Sequence, residues 1–478
     1  MRPALDDLTA TQAASDICAG KYTSVELVMA ALTRAKARPE LNAFITLDEA
    51  GAMAAAHAYD AARERGEPCK PLGGVPVAIK DNIEVAGLPA TAGTPALKGY
   101  IPAEDAPVVA KLRAAGAIII GKTNMHELAF GVSGFNTAFK TGTEFGVRNA
   151  YDTAKIAGRS SSGNAAAVAA RIVPASIGTD TGGSVRVPSA LNGCASLRPT
   201  VGRYPREGIA PISHTRDTPG AMAGSIADVV LLDRIICDQS PIEAADLKGV
   251  RLGVVAATMA NLDGDTATAI AAAHEKLKAA GVAVVDIEMP NLMELNGQVG
   301  FPVALYEAYD DMVAYLRRGA KISIEELVRG IVSPDVKGTY EGLVIPRKLP
   351  GPDDTLVDAK PAYEAAIKTA RPALQQLYRD TFANNRLDAI VFPTVPKVAV
   401  ASNPDASDLS NFVMYIQNTD PGSNAGIPGL QIPIALGATS GLPVGMELDG
   451  PADSDRRLLS IGLALEKLFG RLPPPAEL

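Results

Sequence analysis

Two serine-bearing turns lie close together in the chain, at residues 158–164 (Gly-Arg-Ser-Ser-Ser-Gly-Asn) and 180–186 (Asp-Thr-Gly-Gly-Ser-Val-Arg). An alanine-rich apolar run separates them. Glycine beside serine allows a tight backbone with positive φ, which can bring amide N–H groups close to a ligand. A serine nucleophile needs such donors to stabilise the oxyanion that forms when it attacks a carbonyl group. The two turns therefore indicate nucleophilic catalysis by serine.

The base that activates such a serine is predicted to be a lysine, because a serine hydroxyl alone is a weak nucleophile. The chain has four histidines, which lie in alanine-rich helical stretches or in loop-like stretches where a structural or pocket-lining role is expected: His57, His126, His214 and His274. A lysine buried among apolar groups loses its preference for the charged form and can act as a base. Lys80 ends an apolar run that predicts a short strand, which would place this side chain at the sheet edge.

Three motifs in this order carry a resemblance to a known family: Gly-Val-Pro-Val-Ala-Ile-Lys-Asp-Asn ending at Asn82, Ser-Ser-x-Gly in the first serine turn, and Asp-Thr-Gly-Gly-Ser-Val-Arg in the second. They resemble the amidase signature family, and the similarity covers nearly the whole chain. Residues 124–131, 198–220 and 227–234 resemble more narrowly its indoleacetamide hydrolase and mandelamide hydrolase branch. The resemblance implies an α/β fold in which a single domain, residues 1–478, contains a large mixed β-sheet covered on both faces by helices.

The resemblance also implies a Ser-Ser-Lys triad and an acyl-enzyme. Ser184 would be the nucleophile, and Ser160, which follows a cis peptide bond in the family, would relay protons. Lys80 would be the neutral base that takes the proton and returns it to the leaving amine. The implied oxyanion hole consists of the backbone N–H groups of Thr181, Gly182, Gly183 and Ser184.

The first serine turn departs from the family pattern Gly-Gly-Ser-Ser-Gly-Gly-Ser at three places, where this chain has Arg159, Ser162 and Asn164. Ser160 fits the family spacing to the predicted nucleophile, while Ser161 remains an alternative relay. Loss of two glycines predicts a strained or reshaped loop and an altered activity toward ordinary amides. Three alternatives stay open: the same triad acting on carbamate (urethane), anilide or ester bonds, a subunit of an amidotransferase, and an inactive binding protein with this fold.

A competing motif, G-x-x-x-x-G-K-[ST] at residues 116–123, satisfies the expression for a phosphate-binding loop. Its interior is Ala-Ile-Ile-Ile, which favours a buried strand whose amides are paired and cannot face a phosphate. A strand followed by a turn is therefore the preferred interpretation, and Lys122 remains an alternative base. Asp180 and Arg186 are predicted to form a buried ion pair that braces the second serine turn.

Periodicity predicts a helical start at residues 8–65, alternating strands and helices at 73–237, and a helical region at 292–382. The resemblance implies that 73–237 is the signature core with the catalytic residues and that 292–382, where members of the family differ most, is variable and caps the pocket. Aromatic residues and one histidine are the candidates for the pocket lining: His126, Phe130, Phe301, Tyr306 and Tyr415. Since these offer no obvious charged anchor, the predicted substrate is a neutral aryl or arylalkyl carboxamide, cleaved to an acid and ammonia or an amine.

Composition agrees with an enzyme that acts on small molecules. The 478 residues are 47% hydrophobic and 21% charged, so the chain can bury a large core, and its net charge of -8 does not favour nucleic acid or an anionic membrane. The first residues lack the apolar core of a signal peptide and no long apolar stretch is present, which predicts a cytoplasmic monomer or homodimer. No metal and no cofactor are expected. The four cysteines show no metal-binding spacing, and a reducing compartment predicts no structural disulfide.

Overall fold

The computed structural model describes residues 7–142 and 145–476. The strands in these ranges are β1 Phe44–Leu47, β2 Pro76–Lys80, β3 Ile118–Thr123, β4 Ala175–Asp180, β5 Ala195–Arg198, β6 Thr218–Ala223, β7 Arg251–Val255, β8 Ala283–Ile287, β9 Lys348–Pro350, β10 Leu356–Asp358, β11 Ala389–Pro393, β12 Gly429–Leu436 and β13 Pro443–Asp449. The α-helices are α1 Ala10–Cys18, α2 Ser24–Ala37, α3 Glu49–Glu64, α4 Pro107–Ala114, α5 Ser162–Ala169, α6 Arg186–Asn192, α7 Ile226–Ile236, α8 Gly264–Ala279, α9 Leu292–Arg318, α10 Ile324–Arg329, α11 Pro334–Thr339, α12 Ala359–Ala365, α13 Arg371–Asn385, α14 Leu409–Ile416, α15 Asp420–Ala425 and α16 Asp455–Phe469.

Most of the strands form one mixed sheet, in the order β1-β3-β2-β4-β6-β5-β12-β13-β11-β7-β8, while β9 and β10 pair separately. Both faces of this sheet are buried. In β2, Val77 and Ile79 pack into one hydrophobic core and Ala78 packs into another, as the alternation of side chains along a strand requires. Helices α7 and α16 contribute to the first core, and α2 and α5 to the second. The predicted α/β fold with a large mixed sheet covered by helices is confirmed.

The sheet places the end of β2 at the centre of the candidate site. β2 runs parallel to both of its neighbours, β3 and β4. Parallel strands end at the same edge of a sheet, and ligands bind in the crevice outside those ends. Lys80 is the last residue of β2 and Asp180 is the last residue of β4, so both side chains belong to this edge.

The local predictions agree with the structure except that short strands lie within both segments predicted as helical, β1 in 8–65 and the β9–β10 pair in 292–382. Residues 118–123 form the fully buried strand β3, as their β-branched composition predicts, rather than the start of a phosphate loop. The segment at 8–65 is not entirely helical, because residues 44–47 pair antiparallel with β3 as the edge strand β1. A four-residue edge strand has too short a pattern to be separated from the flanking helices by periodicity. The segment boundaries proposed within the domain stay predictions.

A disulfide joins Cys18, at the end of α1, to Cys69 in the loop before β2. The expectation that the chain lacks a structural disulfide is therefore wrong, because the two residues meet only when α1 and this loop pack together. Cys194 and Cys237 are free. The cytoplasmic location stays a prediction, and in the described parts of the chain no helix combines the length and apolar character needed to span a bilayer.

Replacing Cys69 with serine is expected to lower the free energy of unfolding by up to about 4 kcal/mol, since the bond closes a long loop in the unfolded chain. The bonded positions are 51 residues apart. Urea unfolding of the variant and of wild type, each with and without dithiothreitol, measures the effect. Cys237→Ser, which removes a free thiol, is the matched control. Identical midpoints for Cys69→Ser and oxidised wild type would contradict a stabilising role.

Candidate active site

Lys80 is fully buried and contacts two hydroxyl groups. Its Nζ lies 2.7 Å from Ser160 Oγ, 2.7 Å from Thr179 Oγ1 and 3.4 Å from the carbonyl oxygen of Thr179. The register of the sheet explains this contact, because Ile79 is paired with Ile177 and the end of β2 therefore reaches the last residues of β4. Because β2 and β4 are adjacent parallel strands, the motifs at their ends lie next to each other.

Burial lowers the pKa of the Lys80 amine well below its usual value. Asp180 and Asp217 oppose this shift by favouring the charged form, whereas the nearby Arg159 guanidinium adds to it. Desolvation penalises the ammonium more than the neutral amine, which has no charge to hydrate. A buried lysine of this kind can accept a proton at a pH where an exposed lysine is fully charged.

Hydrolysis by this site is expected to fall as the pH is lowered through the pKa of Lys80, because only the uncharged amine accepts a proton. Since the pKa is lowered, the uncharged form persists to a lower pH than for an exposed lysine. The dependence of kcat/KM on pH between about 5 and 9 measures the position of this limb. A flat profile over that range would exclude Lys80 as the base.

The first serine turn brings Ser160, and not Ser161, to Lys80. Ser161 Oγ donates to the carbonyl oxygen of Thr179 at 3.2 Å and accepts from the N–H of Thr179 at 3.3 Å. Its hydroxyl is thus bound to the backbone of β4, while the hydroxyl of Ser160 remains beside the amine. This geometry favours Ser160 over Ser161 as the relay.

The three departures from the family pattern do not strain this turn. Arg159, Ser162 and Asn164 all lie outside the positive-φ region, which at this turn is occupied by Gly158 at φ 86°. Ser162 and Asn164 belong to helix α5, where an L-residue is accommodated without strain. The structure therefore has no positive-φ strain at these three residues, because that freedom is needed only at a glycine that the chain retains. The alternative of a reshaped loop with altered activity stays a prediction.

The second serine turn is organised around the buried carboxylate of Asp180. This carboxylate accepts from the N–H groups of Gly183 at 2.8 Å and Val185 at 3.0 Å. It also accepts from Arg186 Nε at 3.1 Å and Arg198 Nη1 at 2.8 Å. Burial opposes ionisation, but the two guanidinium groups hold the pKa of Asp180 well below its usual range. The predicted buried ion pair of Asp180 and Arg186 is confirmed.

The same carboxylate changes the set of candidate oxyanion donors. The N–H of Gly183 is already donated to Asp180 Oδ1, so Gly183 is not a free donor as the sequence predicted. Its φ of 121° requires glycine, and a Cβ there would stand 2.3 Å from Thr419 Oγ1. The backbone N–H groups of Thr181, Gly182 and Ser184 remain candidates.

Ser184 lies against the first serine turn, since its carbonyl oxygen accepts from the N–H of Ser161 at 3.1 Å. Only 3% of Ser184 is exposed. In the described parts of the chain, its Oγ makes no hydrogen bond with Ser160 Oγ or with any other group, and every peptide bond is trans. The cis peptide bond implied at Ser160 is therefore absent. Hydrogen bonds between catalytic groups are often long or unformed without substrate and tighten in the complex.

Two other candidates from the sequence have side chains that form no hydrogen bond with the Ser160 hydroxyl. Lys122 is buried beside Asp81, with its Nζ 3.3 Å from the carbonyl oxygen of Asp81 and 3.0 Å from that of Pro89. His126 accepts from the N–H of Gly134 through Nδ1 at 3.2 Å, so its Nε2 carries the proton that is shared with Asp335 at 2.9 Å. This pair connects the signature core to helix α11 of the predicted capping region.

The four predicted aromatic lining residues differ in their packing, and their role as pocket lining stays a prediction. Tyr415 is fully buried, and its hydroxyl donates to the carbonyl oxygen of Val398 at 3.0 Å. Tyr306 stacks on Tyr363, with 4.3 Å between ring centroids, and Phe130 packs edge-on against Tyr340 at 5.2 Å. Phe301 is 42% exposed and packs against Phe412 at 5.7 Å. Phe130 and Tyr306 thus pack against one hydrophobic cluster, whereas Tyr415 belongs to another.

A cavity of about 310 Å³ adjoins the second serine turn on the side of Thr179 and Thr181. Asn82 and Asp217 also line it, and Asn82 Nδ2 donates to Thr179 Oγ1 at 3.1 Å. Thr179 is absent from the candidates predicted from the sequence, because the motif Asp-Thr-Gly-Gly-Ser-Val-Arg begins one residue later, at Asp180. Its position next to Asp180 at the end of a predicted strand could have indicated that it faces the site.

His214, Glu307 and Asp311 lie together near this cavity, with potential ligand atoms within 4.8 Å of one another. Their acceptors are already engaged: Thr215 N–H donates to Glu307 at 3.1 Å, and His214 N–H donates to Asp311 at 2.7 Å. The prediction that the protein needs no metal or cofactor stays a prediction.

The family model described as Amidase matches residues 26–459 of the chain. Mandelamide hydrolase of Pseudomonas putida is 47% identical, over 98% of this chain and 93% of that protein. Indoleacetamide hydrolase of Rhizobium radiobacter is 43% identical, over 94% of each. The crystal structure of native peptide amidase from Stenotrophomonas maltophilia superimposes with a TM-score of 0.81 at 31% identity, over 98% of both chains.

These similarities extend over nearly the full length of the chain and include the residues of the candidate site. The α/β fold and the buried lysine-serine contact belong to an enzyme that hydrolyses amides. The chain is a member of the amidase family. The predicted resemblance to its mandelamide and indoleacetamide hydrolase branch is confirmed.

Proposed function

We propose that the protein hydrolyses aryl or arylalkyl carboxamides through a triad of Lys80, Ser160 and Ser184, with an acyl-enzyme on Ser184. The observation that carries this proposal is the 2.7 Å contact between the buried Lys80 Nζ and Ser160 Oγ. An amine with a lowered pKa, held against a serine hydroxyl, is the arrangement that general-base activation of a second serine requires. A neutral amide carries no charge, so its binding beside Lys80 and Ser160 requires no oppositely charged side chain.

The contacts of Lys80 define how its proton-accepting lone pair is oriented. A neutral amine has two N–H donors and one lone pair. Thr179 offers two acceptors, its hydroxyl at 2.7 Å and its carbonyl oxygen at 3.4 Å. With both N–H groups directed to Thr179, the lone pair faces Ser160, whose hydroxyl then donates to the amine.

Acylation then follows with a balanced movement of protons. Ser184 Oγ bonds to the amide carbonyl carbon while its proton passes to Ser160, and the proton of Ser160 passes to Lys80. The oxyanion accepts hydrogen bonds from the free N–H groups of the second serine turn, each worth roughly 3–4 kcal/mol in the transition state. The C–N bond breaks as the proton returns to nitrogen, and water later cleaves the ester to release the acid.

The proposed substrate class draws on the names of the two relatives, which denote hydrolysis of amides of arylalkyl acids. A small-molecule amide is the proposed partner, and the cytoplasmic monomer or homodimer remains the expected form. Carbamate, anilide and ester bonds are the alternative targets of the same triad, since the carbonyl attacked is chemically similar.

A fluorophosphonate probe and a substrate panel test this function. The purified chain is expected to be labelled by the probe and to release ammonia from phenylacetamide. Labelling should disappear in Ser184→Ala and persist in Ser189→Ala, a matched control whose buried hydroxyl has no partner among the described residues. Persistent labelling of Ser184→Ala would refute the assignment of the nucleophile.

The panel also separates the alternatives. Faster hydrolysis of aryl carbamates or esters than of aryl amides would favour the urethanase or esterase alternative. Hydrolysis by the purified single chain would count against a subunit that needs partner chains for activity. A folded, unlabelled and inactive wild type would instead support a binding protein with the amidase fold.

A further inference from the structure

Arg159 is a buried cation that has no carboxylate partner among the described residues, and it directly precedes the predicted relay Ser160. The residue is only 5% exposed. Its Nε and Nη1 atoms are buried and make no hydrogen bond, and in the described parts of the chain no carboxylate forms an ion pair with it. A buried guanidinium that is left unpaired costs the fold free energy, which indicates a role other than stability.

Unlike Arg159, the other arginines around the second serine turn each pair with a carboxylate. Arg186 and Arg198 both bind the carboxylate of Asp180. Arg216 pairs with Asp420 and also donates to the carbonyl oxygen of Gly300 at 2.8 Å. The remaining oxygen of Asp420 accepts from Asn424. The acids next to Arg159 are thus already used by other groups.

The guanidinium of Arg159 lies against the predicted oxyanion turn. Its Nη2 is 3.1 Å from the point where a Cβ on Gly182 would stand, and Asp420 Oδ1 is 2.8 Å from that point, so a side chain there would displace these groups. The ring of Phe412 packs on the guanidinium at 4.9 Å and in turn contacts Phe301, which is 42% exposed. Stacking covers the flat face of the group and leaves its N–H edges for contacts in the plane.

Burial lowers the pKa of Arg159 to about 10, and the neighbouring arginines add to this while Asp420 and Asp180 oppose it. The group is therefore still charged at neutral pH. A planar cation with donors on both edges, next to aromatic rings, matches a carboxylate that binds through two parallel hydrogen bonds.

We propose that Arg159 is a specificity-determining residue that binds a carboxylate on the acyl group of the substrate, so that the enzyme accepts carboxyl-bearing aryl amides in addition to neutral ones. The proposal rests on the proposed function for the position of the scissile amide. The aromatic pair Phe301 and Phe412 would contact the aryl ring, and the guanidinium would bind the carboxylate on that ring. The neutral substrate predicted from the sequence rests on the aromatic candidates and His126, and Arg159 is not among those lining residues.

The experiment compares matched substrates on matched variants. The ortho, meta and para isomers of carboxyphenylacetamide are each paired with the isomer that carries a methyl group in place of the carboxylate. For at least one isomer, the ratio of kcat/KM between carboxyl and methyl substrates is expected to fall roughly ten- to hundredfold in Arg159→Met. Arg159→Lys should retain part of the preference for the carboxyl substrate, since lysine keeps the positive charge but lacks the planar guanidinium that forms two parallel hydrogen bonds. Arg379→Met, on the exposed side of α13, is the control.

Binding to Ser184→Ala protein tests the inference independently of turnover. Calorimetric titration with the same carboxyphenylacetamide should show affinity that is lost when Arg159→Met is added to Ser184→Ala. If wild type hydrolyses no amide but this Arg159-dependent binding persists, the proposed function fails and the carboxylate site stands. If Arg159→Met lowers kcat/KM equally for the carboxyl and the methyl substrates, and lowers the affinity of Ser184→Ala protein equally for both, the residue is structural and the inference is overturned.

Discussion

Lys80→Met is expected to keep the fold and to reduce kcat/KM for an aryl amide by roughly 10⁴-fold or more, because the proposed triad loses the base that contacts Ser160. Methionine has a similar length and is apolar, so it occupies the buried site without a charge to desolvate. The hydroxyls of Ser160 and Thr179 each lose one partner at 2.7 Å. Single-turnover acylation by phenylacetamide, with circular dichroism as the check on folding, measures the loss.

The control for this variant is Lys122→Met, which removes the other buried lysine. Lys122 faces Asp81 rather than the serines, and its replacement leaves that carboxylate buried without its cation, 3.6 Å away in the native protein. It is therefore expected to lower the free energy of unfolding while the folded fraction retains most of its acylation rate. Near-normal turnover in Lys80→Met together with an inactive Lys122→Met would transfer the role of base to Lys122.

The parts of the site that lie at the ends of predicted strands could be located from the sequence. Lys80 closes an apolar run and Asp180 opens a glycine-rich turn, and both patterns are local. The buried pair of Asp180 and Arg186 followed from two opposite charges within one turn. The overall α/β fold followed from the order of the motifs, through the family that they resemble.

Features that depend on long-range packing could not be predicted in this way. The contact of Lys80 with Thr179 exists because β2 and β4 are neighbours, although β3 lies between them in the sequence. The disulfide of Cys18 and Cys69 depends on the docking of α1 onto a distant loop. Neither relation leaves a periodic signal along the chain.

The pocket lining was the least predictable part because aromatic side chains serve packing and binding alike. Tyr415 has its hydroxyl bound to backbone groups inside a core, whereas Phe301 is partly exposed beside Phe412. Residue type alone does not separate these two environments. The sequence marks Arg159 only as a departure from a glycine pattern, because the absence of hydrogen bonds to its Nε and Nη1 depends on the three-dimensional packing.

Ser160→Ala is expected to lower kcat/KM by roughly 10²–10⁴-fold, since the proton of Ser184 then has no hydroxyl through which to reach Lys80. The backbone of the turn should be kept, because it is fixed by the N–H of His126 donating to the carbonyl oxygen of residue 160 at 3.2 Å. The rate of labelling of Ser184 by a fluorophosphonate should fall in parallel, and its dependence on pH should flatten because the nucleophile is uncoupled from the amine.

Ser161→Ala is the matched control, one residue away in the same turn. It removes two hydrogen bonds to the backbone of Thr179, so about 1 kcal/mol of stability per bond is expected to be lost, with a smaller effect on chemistry. Labelling rates and urea unfolding of both variants, measured side by side, separate the two roles. If Ser161→Ala slows acylation more than Ser160→Ala and shifts its pH dependence, then Ser161 is the relay, and the 2.7 Å contact of Ser160 with the lysine is only structural.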